Sequence, residues 1–398
     1  MEEKVSMDIN TKAVHVGDRR KPGTYVPVTT PIYTAATYIY DNVETLDKVF
    51  SHEIEGYAYA RYDNPNNSGL EELCASLENG HGALTCASGM AALQLALSAV
   101  LVDRRKHVLA ASALYGATTN LLMNVFAPFG VETTFVDITD LAAVEEAILE
   151  NKPGCILMET VSNPLLRVGD IAKIAALARA NNAALLVDNT FSTPMIVRPL
   201  ELGAHVVVHS LTKYLSGHGD TMGGVIVSDS EHFEAIRSMS RTYGPILGAF
   251  DSYLCFRGAK TFPLRMERIC ANAIEVACFL EKHPAIERVH FPDQADHPDR
   301  ETIARQFTAG LYGGIVSFEV KGADKQGIMT FMDRLKLIVR GTSLGDVHSL
   351  MLYPLIASHR DLSPKQRQRQ GIHDNLVRLS VGIESAADIC ADLDQALR

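Results

Sequence analysis

The sequence predicts an α/β fold in which a mostly parallel central sheet carries helices on both faces. Between residues 63 and 257, short strand-like segments alternate with helix-like segments, which is the order expected of successive βαβ units. Several of the strand-like segments are continuous apolar runs, and such runs are typical of strands buried on both faces of a parallel sheet. A ligand is therefore expected at the carboxyl ends of these strands.

The elements of this region follow from the spacing of its apolar residues. Apolar residues at helical spacing predict four helices, which are Ser88–Leu101, Leu141–Leu149, Asp170–Ala180 and Glu231–Met239. Short apolar runs predict six strands, which are Val108–Ala110, Thr133–Val136, Ile156–Met158, Ala184–Val187, Val206–Val208 and Val225–Val227.

The two ends of the chain differ from this middle region. Residues 1–62 lack regular periodicity and are rich in Tyr, Thr and Pro, so we expect an extended arm that contributes to the neighbouring subunit. Residues 258–398 are expected to form a smaller α+β domain. Its predicted elements are the helix Leu264–Glu281, the strands Ile315–Val320 and Leu376–Val381, and a final helix from Ser385.

Composition argues against several classes of partner. The formal charge of −10 leaves no basic excess to neutralise nucleic-acid phosphates. The seven cysteines are scattered without a Cys-x-x-Cys pair, which indicates a reducing compartment and neither a disulfide framework nor a zinc site. No stretch reaches the ~18 apolar residues of a membrane span, and Met1–Lys4 leads into polar residues. We expect a cytoplasmic protein that binds no metal, nucleic acid or membrane.

The run from Val208 to Tyr214 carries the most specific signal. Lys213 follows a buried strand with Ser210 and Thr212 beside it, and the preceding strand ends in Asp188. This layout is expected of an enzyme that uses pyridoxal 5′-phosphate (PLP): the lysine forms a Schiff base, the aspartate keeps the pyridine nitrogen protonated, and the hydroxyls bond to the phosphate. Each motif alone also fits a surface lysine or a helix N-cap, so the prediction depends on agreement with other segments.

Two further segments are suited to a phosphate group. Ser88, Gly89 and Met90 open an apolar helix, and the amides and dipole of a helix N-terminus bind phosphate dianions. The alternative is that Ser88 is a plain N-cap. Arg61 is a fork-shaped donor and Tyr59 adds a hydroxyl, although a surface arginine would fit the same pattern.

Three residues are candidates for contacts with the cofactor ring and the substrate. Tyr115 ends a βα loop, from which a tyrosine can stack on a ring and handle a proton. Asn163 follows a strand and could bond to a ring substituent, but Asn-Pro is also an ordinary turn signal. Arg378 lies inside an apolar strand and therefore needs a carboxylate partner, which could be a substrate α-carboxylate or an internal Asp or Glu.

Together these segments resemble the PLP-dependent trans-sulfuration enzymes of cysteine and methionine metabolism. That family includes cystathionine γ-synthase, cystathionine γ-lyase, cystathionine β-lyase, methionine γ-lyase and O-acetylhomoserine sulfhydrylase. The resemblance spans nearly the whole chain, and the pattern Ser-x-Thr-Lys-Tyr-x-x-Gly-His-x-Asp from Ser210 to Asp220 is highly specific to it. It implies the aspartate-aminotransferase-type fold (fold type I), PLP as cofactor, a small amino-acid substrate and a homotetramer built from two catalytic dimers.

The resemblance also implies individual roles. Lys213 resembles the Schiff-base lysine, Asp188 the partner of the pyridine nitrogen, and Tyr115 the ring-stacking tyrosine. The positions that match phosphate-binding residues are Ser88, Gly89, Met90, Ser210 and Thr212, and the pair that reaches into the neighbouring subunit's site is Tyr59 and Arg61. The positions near the ring O3′ and the substrate carboxylate are Asn163, Ser343 and Arg378.

Departures from the family pattern bear on the reaction. Ala117 stands where methionine γ-lyases typically carry a cysteine, and Thr342 stands where γ-synthases and γ-lyases typically have Glu and β-lyases Tyr. Asn64-Pro65-Asn66 replaces the usual Asn-Pro-Thr. The segments Ser162–Val168 and Gly248–Leu254 look most like a γ-synthase or γ-lyase. We place Thr342 beside the distal end of the substrate.

The predicted activity is γ-elimination, a carbon–sulfur lyase reaction. Its substrate is expected to be a sulfur amino acid such as cystathionine, methionine or homocysteine, and its products a 2-oxo acid, ammonia and a thiol. The first alternative is a γ-replacement synthase of the cystathionine γ-synthase or O-acylhomoserine sulfhydrylase type. A non-catalytic scaffold is a second alternative, which the presence of Lys213, Asp188, Tyr115 and Arg378 disfavours.

Overall fold

The computed structural model describes residues 7–17, 25–357, 360, 367 and 371–398. Met1–Lys4, which enter the prediction of localisation, lie outside the described residues. No helix in the described part of the chain is both long enough and apolar enough to span a membrane.

The first sheet has seven strands, and most of its neighbouring pairs are parallel. Its strands are β1 (Gly82–Cys86), β2 (His107–Ala111), β3 (Glu132–Val136), β4 (Cys155–Glu159), β5 (Ala184–Asp188), β6 (Val206–Ser210) and β7 (Gly224–Ser228). They are ordered β1-β7-β6-β5-β4-β2-β3. Only β7 runs against its neighbours, β1 and β6. The predicted mostly parallel sheet is confirmed.

The second sheet is smaller and mostly antiparallel. Its strands are β8 (Ile286–His290), β9 (Ile315–Val320), β10 (Val339–Arg340), β11 (Leu350–Leu352) and β12 (Leu376–Ser380). They are ordered β10-β11-β12-β9-β8, and β10 and β11 alone are parallel. A separate apolar core packs against it, which agrees with the α+β character expected for this part of the chain.

Fourteen α-helices lie within the described residues. They are α1 (Ile9–His15), α2 (Val43–Phe50), α3 (Pro65–Glu78), α4 (Gly89–Leu101), α5 (Gly116–Asn120), α6 (Leu141–Asn151), α7 (Ile171–Ala180), α8 (Thr193–Ile196), α9 (Phe233–Tyr243), α10 (Ala249–Ala259), α11 (Phe262–Glu281), α12 (Arg300–Gln306), α13 (Lys325–Arg334) and α14 (Ala386–Leu397). A π-helix, Leu121–Phe126, and a 3₁₀ turn, Ala127–Phe129, extend α5, and a second 3₁₀ turn is Pro354–Ile356.

Helix α4 shows how the sequence positions the site. Ser88 is its N-cap, and its hydroxyl accepts the amide of Ala91 at 3.1 Å. Most of the helix is buried, including Leu93, Leu95 and Leu97, which is expected of a helix that is apolar on all sides. Its N-terminus is therefore fixed by the core next to the carboxyl end of β6.

The first 62 residues are not wholly extended, since they contain α1 and α2. Asp8 and Asn42 cap these helices through their side-chain oxygens. An isolated bridge between Thr37 and Tyr59 ties this segment to itself. Several of its large apolar side chains are exposed, among them Tyr25, Val28, Ile39 and Val43. The contribution of this arm to a neighbouring subunit remains a prediction, as do the domain boundaries.

Candidate active site

Three polar residues meet at one edge of the seven-stranded sheet. Glu159, Asp188 and Ser210 are the last residues of β4, β5 and β6, which are adjacent and parallel. Parallel strands place their carboxyl ends at the same edge of the sheet. The edge where the sequence predicts a ligand therefore carries two carboxyl groups and a hydroxyl.

Lys213 follows β6 by three residues and reaches toward the second sheet. Its Nζ donates a hydrogen bond to Ser343 Oγ at 2.8 Å, so the amine lies between the two parts of the chain. Burial, together with the nearby charge of Arg378, lowers the pKa of the Lys213 amine to about 8. An amine with this pKa is in large part neutral, and therefore nucleophilic, at slightly alkaline pH.

Asp188 is held by the turn that follows β5. Its Oδ1 accepts the backbone amide of Thr190 at 3.0 Å. Withdrawal from water raises the pKa of the Asp188 carboxyl, while the hydrogen bonds from Thr190 and the charge of His209 oppose this rise. A carboxylate in this setting is suited to face a cationic ring nitrogen, since an opposite charge favours its ionised form.

A cradle of donors lies between the start of α4 and the residues that follow β6. The hydroxyl of Ser88 caps α4 by accepting the amide of Ala91, and its own O–H can still donate to a phosphate. The amides of Gly89 and Met90 precede the first intrahelical bond, which Ala92 makes, and therefore have no partner within the helix. A Cβ on Gly89 would lie 2.9 Å from Ser210 Cβ, so the glycine permits this close approach.

Thr212 is one of the residues after β6 that form this cradle. Its Oγ1 accepts the amide of Gly223 at 3.1 Å, which fixes the hydroxyl one residue before Lys213. Of the phosphate residues expected from the sequence, Ser88, Gly89, Ser210 and Thr212 are brought together around the end of β6, with Met90 in the first turn of the adjoining helix.

Arg378 is buried in the middle of β12 and is 3% exposed. Its Nη1 donates to Asn163 Oδ1 at 3.0 Å, and its Nη2 donates to the carbonyl of Ser343 at 3.2 Å. Its Nε has no hydrogen-bond partner among the described residues. Burial lowers the pKa of Arg378 to about 10. In the described part of the chain the guanidinium forms no ion pair with a carboxylate, so the internal partner considered from the sequence is not found there.

These hydrogen bonds connect the candidate residues in a chain that runs from Lys213 through Ser343 and Arg378 to Asn163. Lys213 and Arg378 meet at Ser343, one at its hydroxyl and the other at its carbonyl, and Arg378 continues to Asn163. A substrate carboxylate bound to Arg378 would therefore lie close to the amine of Lys213. Thr342, which precedes Ser343, is exposed.

Glu159 is a functional candidate that the sequence analysis missed. It accepts the backbone amide of Tyr115 at 2.5 Å through its Oε1, and Tyr115 has no side-chain cap of its own at the start of α5. Desolvation, and next the neighbouring charge of Asp188, raise the pKa of Glu159 to about 8. The available signal was its place at the end of a buried strand, the same signal that identified Asp188.

A cavity of about 940 Å³ opens beside these residues. Its lining includes Tyr115, Ala117, Glu159 and Asn163, with Met123 and Phe135 among its other walls. A cavity of this volume lies within the range of small-molecule sites. Tyr115 is 44% exposed, and its ring is therefore available for contact with a ligand.

Tyr59 and Arg61 make their described side-chain contacts outside the donor cradle. Arg61 donates to the carbonyl of Arg241 in α9 and places its guanidinium 4.7 Å from the ring centre of Tyr62. Among the described residues, none of the hydrogen bonds of Tyr59 or Arg61 goes to Lys213 or to the donor cradle. Their predicted contact with the phosphate of a neighbouring subunit stays a prediction.

The donor set fits pyridoxal phosphate. An amine of lowered pKa, a carboxylate at a strand end and a cradle of amides and hydroxyls match the aldehyde, the ring nitrogen and the phosphate of this cofactor. Lys213 would hold the aldehyde carbon, Asp188 the ring nitrogen, and the start of α4 with Ser210 the phosphate. No cluster of three or more His, Cys, Asp or Glu residues in the described part of the chain could hold a metal ion.

Comparison with known proteins gives one consistent result. The family described as Cys/Met metabolism PLP-dependent enzyme matches residues 10–398 of this chain. An L-methionine gamma-lyase of Fusobacterium nucleatum subsp. polymorphum is 40% identical over 392 residues, which cover 98% of each chain. A cystathionine beta-lyase of Coxiella burnetii is also 40% identical over 392 residues, covering 98% of this chain and 97% of that protein.

A solved structure extends the similarity to three dimensions. A putative O-acetylhomoserine (thiol)-lyase of Campylobacter jejuni superposes with a TM-score of 0.92 at 30% identity, covering 98% of this chain and 100% of that chain. That structure contains a lysine joined to the pyridoxyl group as N′-pyridoxyl-lysine-5′-monophosphate. Because two enzymes with different names share the same 40% identity with this chain, overall identity does not choose between their reactions.

Proposed function

Because the chain belongs to the family of PLP-dependent enzymes of cysteine and methionine metabolism, we propose that it catalyses γ-elimination on a sulfur amino acid. The substrate is of the cystathionine, methionine or homocysteine kind, and the products are a 2-oxo acid, ammonia and a thiol. The chain has fold type I and is a PLP-dependent enzyme, as the sequence analysis predicted.

One observation carries the proposal for the substrate. Arg378 is a buried guanidinium without a carboxylate partner among the described residues, and it shares Ser343 with the amine of Lys213. A buried cation of this kind is costly unless an anion pairs with it. The α-carboxylate of an amino acid would supply that anion and would place the substrate amine and Cα next to Lys213.

Individual residues of the chain have separate roles in the reaction. Bound pyridoxal phosphate supplies an electron sink that makes protons on the substrate's Cα and Cβ removable. Lys213, whose pKa is lowered to about 8, takes the Cα proton in its neutral form. Asp188 holds the ring nitrogen in its protonated form. Tyr115 lines the 940 Å³ cavity and delivers a proton to the departing sulfur.

A γ-replacement synthase is the second candidate function. Elimination and replacement differ only in the fate of the unsaturated product of the first step, which is either hydrolysed to a 2-oxo acid and ammonia or captures a new thiol. The similarity to a structure named as a putative O-acetylhomoserine (thiol)-lyase, with a TM-score of 0.92, favours keeping this candidate.

We also propose that the enzyme is a homotetramer and works in the cytoplasm. The exposed apolar side chains of the first 62 residues, such as Tyr25, Val28 and Ile39, support a contact between subunits. The seven cysteines all have free thiols, which is typical of proteins in a reducing compartment.

A substrate panel tests the proposed function. Purified enzyme is given cystathionine, methionine, homocysteine, cysteine and O-acyl homoserines, and both 2-oxobutanoate and new thioethers are measured. Elimination predicts 2-oxobutanoate and a thiol from at least one sulfur amino acid without an added thiol. Turnover only with an acyl homoserine plus a thiol would support the synthase instead. Protein that binds PLP and converts none of these substrates would contradict both.

A further inference from the structure

Arg265 is a buried arginine of α11 whose side chain binds the backbone next to Lys213. It is 5% exposed. Its Nη1 donates to the carbonyl of Tyr214 at 2.7 Å, and its Nη2 donates to the carbonyl of Leu215 at 3.0 Å. Tyr214 and Leu215 are the two residues that follow Lys213. One side chain from a distant helix therefore holds the turn that carries the candidate Schiff-base lysine.

This turn has carbonyl groups that its own backbone does not satisfy. Residues 211–216 form a turn without helix, and within the described residues no backbone amide donates to the carbonyl of Tyr214 or Leu215. Both residues are buried, and a buried carbonyl without a donor is costly. The guanidinium of Arg265 supplies a donor to each of the two carbonyls.

The same guanidinium joins the turn to the ends of two helices. Its Nη2 also donates to the carbonyl of Gly258, in the last turn of α10, at 2.9 Å, and its Nε donates to Thr261 Oγ1, at the start of α11, at 3.3 Å. All four described hydrogen bonds of Arg265 go to carbonyl or hydroxyl oxygens. A planar fork with five donors suits this set of acceptors, whereas the compact ammonium of a lysine does not reproduce the fork.

The backbone of the turn is shaped to admit the guanidinium. Gly217 has a φ of +69°, and a Cβ at this position would lie 1.7 Å from Nη1 of Arg265, so only glycine leaves room for the side chain. The carbonyl of Gly217 accepts the amide of Val347 at 3.0 Å. Val347 belongs to the same segment as Ser343, whose hydroxyl accepts the bond from Lys213 Nζ. The lysine and the hydroxyl that receives its amine are thus fixed by connected contacts.

We propose that Arg265 is a positioning residue for Lys213. By binding the carbonyls of Tyr214 and Leu215, it fixes the backbone of the lysine so that the amine meets the aldehyde of PLP and the Cα proton of the substrate. Arg265 is not among the residues that line the 940 Å³ cavity, and it acts only through the turn. The inference rests on the proposed function in one respect, since it takes Lys213 as the residue that bonds to PLP and removes the Cα proton.

The test uses the full chain and two variants of Arg265. Arg265→Lys keeps the positive charge and loses the fork. Arg268→Lys is the matched control, because Arg268 lies on the same helix and is exposed. Two rates are measured per folded molecule: exchange of the Cα proton of methionine for deuterium by the holoenzyme, and growth of the visible band of lysine-bound PLP when PLP is returned to stripped protein. Thermal stability and KM are measured beside them.

In Arg265→Lys protein we expect both rates to fall about 10- to 100-fold, because a misplacement of about 1 Å at reacting groups has an effect of this size. KM should be nearly unchanged, since Arg378 is untouched. Arg268→Lys protein should match the wild type in both rates. Wild-type rates in folded Arg265→Lys protein would overturn the inference, because a residue that only stabilises the fold would give that result.

The second variant keeps the test decisive if Arg265→Lys folds poorly. Arg265→Gln has no charge to bury and retains one amide donor, and its folded fraction should also show a fall in both rates. Equal rates in this variant and the wild type would again contradict the positioning role. Wild-type protein that exchanges the Cα proton without releasing a thiol would refute γ-elimination and leave the role of Arg265 intact.

Discussion

Glu159 and Asp188 lie opposite each other in the parallel register of β4 and β5. Neighbouring strands are about 4.8 Å apart, so two carboxyl groups stand side by side at the edge that carries the site. Burial raises the pKa of both carboxyl groups. The pKa of Glu159 is raised to about 8. Because adjacent carboxylates cannot both ionise cheaply and the pKa of Glu159 is the one raised to about 8, Glu159 is mainly neutral at pH 7.

The neutral state of Glu159 predicts a pH-dependent difference in stability. In protein stripped of cofactor, the folded state keeps a proton on Glu159 that the unfolded chain releases, because the folded pKa of about 8 exceeds the ordinary 4.5. This stabilisation is complete below pH 4.5 and is lost as the pH rises toward 8, at about 1.4 kcal/mol per pH unit. Wild-type protein should therefore lose stability relative to Glu159→Gln over that interval.

Urea unfolding at pH 5 and pH 8 measures this difference. Glu150→Gln, on the exposed surface of α6, serves as the control and should follow the wild type at both values. If Glu159→Gln keeps a constant difference from the wild type at pH 5 and pH 8, then Glu159 is ionised in the folded protein and the assignment of its neutral form is wrong.

Arg378 is expected to bind the substrate carboxylate. Arg378→Lys keeps the charge and loses the guanidinium fork, so one charge-assisted hydrogen bond, worth about 1.5–3 kcal/mol, is lost. We expect KM for every amino-acid substrate to rise about 10- to 100-fold, with the absorbance of bound PLP retained. Steady-state kinetics across the substrate panel measures this. Loss of PLP or of folding, with unchanged KM in the remaining active protein, would assign Arg378 a structural role.

The placement of Arg61 predicts that active sites are completed between subunits. In one chain Arg61 contacts α9 through the carbonyl of Arg241, and it makes no described hydrogen bond to Lys213. Mixed oligomers of the two inactive variants Arg61→Ala and Lys213→Ala should therefore regain activity, because some sites receive an intact arm and an intact lysine. Differently tagged subunits establish that hybrids form. Hybrids that co-purify and remain inactive would count against a shared site.

Thr342 is expected to influence the distal end of the substrate. It is exposed and immediately precedes Ser343, which contacts Lys213. Thr342→Glu introduces a carboxylate that can meet the distal ammonium of cystathionine. One solvent-accessible ion pair contributes at most ~1 kcal/mol, so kcat/KM for cystathionine relative to methionine should rise about fivefold. An unchanged ratio would indicate that another acidic residue already meets that ammonium.

Much of the sheet could be predicted because its strands are buried apolar runs. The strands β2 to β7 and the helices α4, α6, α7 and α9 follow from such local patterns. The direction of β7 does not, since its antiparallel pairing with β1 and β6 depends on the path of the chain between strands. Helix α3 was missed because it begins with Pro-Asn-Asn-Ser-Gly, residues that are poor helix formers.

The residues of the candidate site were likewise predictable only in part. Lys213 and Asp188 could be identified because each occupies a fixed place after a strand. Glu159 occupies an equivalent place, yet its relation to Asp188 depends on β4 and β5 being neighbours, which only the folded chain reveals. The side chains of Glu78 and His209 are in contact although the two residues lie 131 positions apart in the chain. No local sequence pattern predicts such a contact.

The absorbance of the Lys213→Ala protein tests whether Lys213 carries the cofactor. Lys213→Ala should lose all turnover and the visible absorption band of lysine-bound PLP. The control Lys173→Ala, which removes only a surface pair with Asp170, should keep both. A Lys213→Ala protein that retained the visible band and wild-type turnover would show that Lys213 does not carry the cofactor.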